Sequence, residues 1–159
     1  MKVIGIDPGL ASTGIAVVEG SALAVSDYAF GTIQTSAENR LPDRLRCIYE
    51  SVSKAIDEIR PDIMVVEDVF SLSRYPKSGI TLGKVTGVIL LAACHSALPI
   101  MEIAVREAKQ ILTGSGSADK VQLENCVRIR LNHPGPIKPS HASDALALAL
   151  VGLYRSGAK

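Results

Sequence analysis

KVIGIDPGLASTGIAVVEG, residues 2–20, decides how the chain begins to fold. Its two halves, KVIGID and STGIAVVEG, are rich in valine and isoleucine, and the turn over residues 8–12 between them carries proline and glycine. The pattern predicts two β-strands joined by a tight turn. A further run, ALAVSDYAFGTIQT (22–35), extends this to three successive strands, an antiparallel meander. Asp7 closes the first strand at the lip of a glycine-bearing turn. Such a turn either cradles phosphates or aims an acid at something else.

The period then changes. In LPDRLRCIYESVSKAIDEIRP (41–61) the apolar residues Leu41, Leu45, Ile48, Val52, Ile56 and Ile59 fall on one helical face, and Pro61 closes the run. DIMVVED (62–68) reads as a fourth strand that crosses over into a parallel position. After a loop from Tyr75, GITLGKVTGVILLAACHSAL (79–98) reads as an apolar helix, with Gly83 and Gly87 expected to admit another backbone closely. PIMEI (99–103) is a fifth strand. Helices over about 104–112 and 118–131 flank the turn TGSGSA, and a last helix begins near Ser140. The stretch Pro134–Pro139 is a rigid connection. These elements predict an α/β fold: a five-stranded mixed sheet, its first three strands antiparallel, flanked by helices. One domain spans residues 1–156, followed by a short tail at 157–159.

Composition narrows the class. At 159 residues and 47% hydrophobic content the chain is long enough for one substantial core. No basic, apolar and small-residue sequence marks a targeting segment. His95, Pro99, Gly152 and charged residues interrupt the apolar runs, so none is expected to reach the roughly 20 residues that span a bilayer. A cytoplasmic location with no membrane follows as the expectation. Cys47, Cys94 and Cys126 are odd in number and far apart, which predicts buried thiols rather than disulfides or a metal site. The net charge of +1 hides a division: residues 1–70 hold 6 Lys and Arg against 11 Asp and Glu, whereas residues 71–159 hold 11 against 5. Charge segregated in this way suits a local phosphate-binding face.

Asp7 ends the first strand and Glu67 the fourth. Either alone is an ordinary strand-end acid, but parallel neighbours would bring both to the edge where α/β proteins hold ligands. His141 and Asp144, three positions apart, share a face near the start of the last helix. Ser140 capping that helix with Asp144 decorating its first turn is the plainer reading. However, HASDALALALVGL is otherwise almost wholly apolar or small, so an unpaired Asp144 there would be costly. Asp7, Glu67, Asp144 and His141 form an oxygen-rich set with one imidazole, suited to Mg²⁺ or Mn²⁺ rather than structural zinc. Two ions about 4 Å apart suit in-line phosphoryl transfer, with Asp7 as their bridge. Asp68 adjoins Glu67 but points to the other face of a regular strand, which favours Glu67 and keeps Asp68 in reserve.

In this order and spacing, GIDPGLASTG, VEDVF, LGKVTGVIL, AKQILTGSGSADKVQ and HASDALALAL resemble the RuvC family of Holliday-junction resolvases, within the ribonuclease H-like fold. The resemblance covers nearly the whole chain. It implies a metal-dependent endonuclease acting as a homodimer on four-way DNA, making paired symmetric nicks that leave 5′-phosphate and 3′-hydroxyl ends in recombination and repair. Asp7, Glu67, His141 and Asp144 fall on the family's catalytic positions, where many members have aspartate in place of His141. That substitution leaves open whether His141 is a ligand or a proton-transfer group. Phe70 matches an aromatic associated with unstacked bases at the junction centre, and Lys109 and Lys120 match basic positions near the active site. Arg74, Lys77 and Lys84 form an acid-free stretch suited to DNA backbone contacts. TLGKVTGVILLAAC resembles the family's dimerisation helix, and a branch-migration complex of the RuvA and RuvB type is implied as a partner.

GIDPGLASTGIAVV also resembles the phosphate hairpin of actin-like ATPases. Those proteins need a second lobe and a second such hairpin, and the TGSGSADK glycines lack the context of a P-loop. Two further readings compete with junction cleavage: a noncatalytic junction-binding protein, and a ribonuclease H-like nuclease with another substrate, such as an RNA–DNA hybrid.

Overall fold

The computed structural model describes residues 1–68 and 76–157. The opening stretch forms β1 (Lys2–Asp7) and β2 (Ser12–Gly20), and β3 (Val25–Gln34) completes the meander. The chain continues through α1 (Leu41–Ile59), β4 (Ile63–Glu67), α2 (Pro76–His95), β5 (Ile100–Ile103), α3 (Val105–Thr113), α4 (Lys120–Leu131) and α5 (Ser140–Ser156). The strands form one sheet in the order β3-β2-β1-β4-β5. Pairing is antiparallel across β1, β2 and β3 and parallel from β1 to β4 to β5, the expected mixed α/β sheet.

Side-chain alternation sorts the strands into two cores. Val3 and Val65 face a layer of α3, α4 and α5, whereas Ile4, Ile6, Met64 and Val66 face α1 and α2. Asp7 shares the parity of Val3, and Glu67 that of Val65, so both acids stand on the α5 side. Ile6 pairs with Val66, which brings the two carboxylates to the same level at neighbouring strand ends. Asp68 has the opposite parity, which turns it away from that side.

The central helix α5 is buried from Ala145 to Leu153, and fully burying each of its leucines contributes about 1.5–3 kcal/mol. It lies directly on the β1–β2 pair because two glycines leave room for it. A β-carbon at Gly5 would stand 2.1 Å from the Ala145 carbonyl oxygen, and one at Gly14 only 2.0 Å from that of His141. Gly14 is also the cross-strand partner of Asp7. The helix that carries His141 and Asp144 is thereby seated against the strand end that carries Asp7.

Several expectations are corrected. Gly83 and Gly87 admit no other backbone within the described residues: a β-carbon at either would meet nothing within 4 Å. Cys47 and Cys94 are exposed and Cys126 is half-buried, because each lies off the apolar stripe of its helix. The stretch Ser78–His95 of α2 is long and apolar enough to cross a membrane by length and composition alone, since Lys84 is a single charge on 18 residues. Its Val85, Ile89, Ala92 and Ala93 are buried in the core beside α1. Ser140 is the first helical residue rather than the cap; Pro139 holds the cap position, and no side chain caps it. Phe70 and Arg74 lie outside the described residues, as does the side chain of Lys77.

Overfilling a tight contact costs about 1–3 kcal/mol, so Gly14→Ala is expected to lower stability by at least that amount, measured by thermal unfolding. Gly31→Ala, where a β-carbon meets nothing within 4 Å, should stay within about 0.5 kcal/mol of the parent.

Candidate active site

The turn after β1 is braced from two sides. Thr13 Oγ1 donates to the Gly9 carbonyl at 2.7 Å, and Thr35 Oγ1 donates to that of Leu10 at 2.5 Å. Thr13 is fully buried. Local sequence patterns give no sign of these two threonines, because each acts by closing a turn rather than by facing a ligand. With its carbonyls engaged locally, the turn positions Asp7.

Asp7, Glu67, His141 and Asp144 line one cleft of about 200 Å³, together with Lys109 and Lys120. Six residues separated by up to 137 positions thus converge from β1, β4, α3, α4 and α5. The start of α4 is held by a reciprocal cap: Asp119 accepts from the Gln122 amide at 2.8 Å while the Gln122 side chain accepts from the Asp119 amide at 2.9 Å. This cap fixes the helix start that carries Lys120, whose Nζ lies 3.6 Å from Asp144 Oδ2. Lys84 is exposed on α2, in the layer on the far face of the sheet, and does not line the cleft. Val105, Ala108, Leu123 and Ala147 supply an apolar floor. In the sequence their spacing reads simply as core.

His141 Nδ1 lies 2.6 Å from Asp7 Oδ2, with the Asp7 side chain 8% exposed and that of His141 41% exposed. Asp7 and Glu67 also share a hydrogen bond. Burial is the chief cause that raises the Asp7 carboxyl to about 6; Asp144 adds to it, while the Glu67 hydrogen bond and Lys120 oppose it. Burial likewise raises Glu67 to about 8, reinforced by the hydrogen bond and charge of Asp7 and by Asp144, and opposed by Lys120. The two carboxyls therefore retain a proton between them near neutral pH.

Acids crowded into this arrangement are the electrostatic setting that a divalent cation relieves. The donor set fits, since carboxylate oxygens from Asp7, Glu67 and Asp144 are hard ligands matched to Mg²⁺ or Mn²⁺. Among the described residues no three of His, Cys, Asp and Glu stand in a ready-made ligand arrangement. Asp7 is instead engaged by His141 and Glu67, and Asp144 by Lys120.

These shifts set a pH dependence with a definite sign. Between about 4.5 and about 8 the folded protein binds more protons than the unfolded chain, so raising the pH through that window lowers stability. In chelator, the thermal midpoint is expected to fall across this range. The slope should be shallower in Asp7→Asn, and millimolar Mg²⁺ should restore part of the loss at the alkaline end. A flat profile in chelator would contradict the crowded-carboxylate geometry.

The family model described as crossover junction endodeoxyribonuclease RuvC matches residues 3–152. The RuvC protein of Mannheimia succiniciproducens is 40% identical over 151 residues, covering 93% of this chain and 73% of its own length. That of a Parafrankia strain is 38% identical over 159 residues, covering 99% of this chain and 89% of its own. Among solved structures, Thermus thermophilus RuvC in complex with Holliday junction substrate superposes with a TM-score of 0.92 at 30% identity, covering 99% of this chain and 96% of that one. The yeast mitochondrial Holliday junction resolvase Ydc2, at 9% identity and a TM-score of 0.65, shares the fold, covering 98% of this chain and 78% of its own. With the strand order, the strand-end acids and these matches in agreement, the chain belongs to the RuvC family of crossover junction endodeoxyribonucleases.

Proposed function

We propose that this protein is a metal-dependent endodeoxyribonuclease that resolves four-way DNA junctions by paired symmetric nicks, leaving 5′-phosphate and 3′-hydroxyl ends, in homologous recombination and repair. The observation that carries the reading is the convergence of Asp7, Glu67, His141 and Asp144 with Lys109 and Lys120 in one cleft of a RuvC-family chain. A relative with nearly the same backbone is known bound to a Holliday junction.

Asp7, Glu67 and Asp144 would hold the divalent cation, Mg²⁺ with Mn²⁺ as substitute, at two ions per site. When bound, the metal would supply stabilisation of the charge that develops in an in-line phosphoryl transfer. His141, hydrogen-bonded to Asp7, ligates beside it or moves a proton at the attacking oxygen. Lys109 and Lys120 neutralise phosphates of the cut strand. Phe70 stacks on unpaired bases, and Arg74, Lys77 and Lys84 follow the DNA backbone.

The protein acts as a homodimer through α2. The outward side of that helix leaves Gly83 and Gly87 open and Ile80 and Leu91 exposed at 62% and 47%, an apolar face with no cover in one copy among the described residues. Two-fold pairing would present two sites to a nearly two-fold junction. A branch-migration complex of the RuvA and RuvB type and a cytoplasmic location complete the proposal. A noncatalytic junction binder or a hybrid-cutting nuclease is the competing outcome.

Glu67→Gln and Asp144→Asn are expected to keep their circular dichroism and junction affinity while nicking falls by about a hundredfold or more. Parallel binding and single-turnover assays on four-way junctions, linear duplex and RNA–DNA hybrid measure this. Efficient hybrid cleavage without junction product would reject the reading. His141→Ala should impair nicking more than binding, and equal nicking would remove His141 from the chemistry. Leu91→Arg is expected to shift the sedimentation coefficient to that of a monomer and to uncouple the two nicks.

A further inference from the structure

The turn TGSGSA (113–118) joins α3, which carries Lys109, to α4, which begins at Lys120. Its glycines would suit a phosphate cradle, which holds an anion on free backbone amides. Here those amides are engaged within the connection itself. Gly114 donates to the Gln110 carbonyl at 3.0 Å, Ser115 to Thr113 Oγ1 at 3.1 Å, Gly116 to Gln110 Oε1 at 2.9 Å and Ala118 to the Ser115 carbonyl at 3.1 Å. We propose that Gln110 is a positioning residue, whose side-chain amide clamps this connection into a fixed spacer that sets Lys120 at the cleft beside Lys109, a role that rests on the junction-nicking activity above.

Gln110 follows Lys109 in α3 and grips the turn with both ends of its amide. Nε2 donates to the Gly114 carbonyl at 2.8 Å while Oε1 accepts from the Gly116 amide. A carboxamide is suited to this because it presents a donor and an acceptor side by side without charge. The donor end closes on Gly114, the left-handed residue (φ 79°) at which α3 stops. Thr113 Oγ1 adds a bond to the Lys109 carbonyl at 2.8 Å. The turn also lies flat on α3, since a β-carbon at Gly116 would stand 2.8 Å from Arg106 Cγ. At its far end Ala118 is buried in the core, and Asp119 opens the reciprocal cap with Gln122. Hydrogen bonds thus run without a break from the helical turn of Lys109 to the residue before Lys120. Both lysines line the cleft of acids. A lysine side chain is long and flexible, so only a fixed backbone at its root narrows where its charge is delivered. Gln110 is exposed and belongs to neither buried cluster, which separates its clamping role from core packing.

The test uses the full chain, first in amide hydrogen exchange and then in single-turnover nicking of four-way junctions with Mg²⁺. The Gly116 amide is expected to be protected in the parent and to lose that protection in Gln110→Ala. Alanine sustains the helix, so thermal melts should show the variant folded. Its nicking rate at saturating enzyme should fall about tenfold while junction affinity stays within about twofold, because a misplaced group costs rate more than binding. In a Lys120→Met background the same substitution should change the rate by less than about twofold, since the group it positions is gone. Gln110→Glu keeps the acceptor for Gly116 and loses the donor for Gly114, so its rate should lie between those of the parent and Gln110→Ala. An unprotected Gly116 amide in the parent overturns the clamp. Equal losses with and without Lys120 overturn the positioning role, as does weakened junction affinity at an unchanged rate, which would make the turn a phosphate cradle. A parent chain that neither binds nor nicks a junction overturns the nuclease reading, and this role falls with it.

Discussion

The structure depends on a backbone-to-backbone contact between a helix and a sheet. Helix α5 sits against β1 and β2 at a distance that only glycine permits, with Gly5 under Ala145 and Gly14 under His141. Protein interiors are close-packed, so a contact of this kind has little slack and transmits any displacement to its neighbours. Asp7 is covalently fixed to the strand, while His141 and Asp144 are fixed to the helix. The 2.6 Å contact between His141 and Asp7 is therefore set by main-chain packing more than by the freedom of either side chain.

This packing also explains the unusual electrostatics. Seating the helix so close removes water from the carboxyls, and desolvation is the leading cause of the upward shift at both Asp7 and Glu67. Lys120 opposes the effect at both acids from a capped helix start, where its Nζ also lies 3.6 Å from Asp144 Oδ2. The protein thus holds its acid functions close together and out of water, which keeps both carboxyls above their ordinary range. An arrangement of this sort is common where a fold trades local stability for chemistry.

Much of this is legible in the sequence because it rests on periodicity. Period-2 alternation in β1 and β4 puts Asp7 and Glu67 on one face and Asp68 on the other, and the three-residue offset of His141 and Asp144 puts them on one helical face. The RuvC resemblance supplies Lys109 and Lys120, which spacing alone would leave at the surface. What escapes is nonlocal or depends on what lies outside one chain. The braces from Thr13 and Thr35 join positions that no short pattern links. Gly83 and Gly87 promise a close neighbour that the described part of one copy does not contain. Composition points to buried cysteines, whereas helix phase decides their exposure. The approach of Gly14 to His141 spans 127 positions and is visible only once the helix is laid on the sheet.

All four groups at the acid cleft, and the lysines beside them, come from a single chain. The apolar face of α2 lies in the layer on the other side of the sheet from the cleft. In the proposed two-fold pairing each cleft would therefore carry its own set of these groups, and association would set where the second cut falls relative to the first.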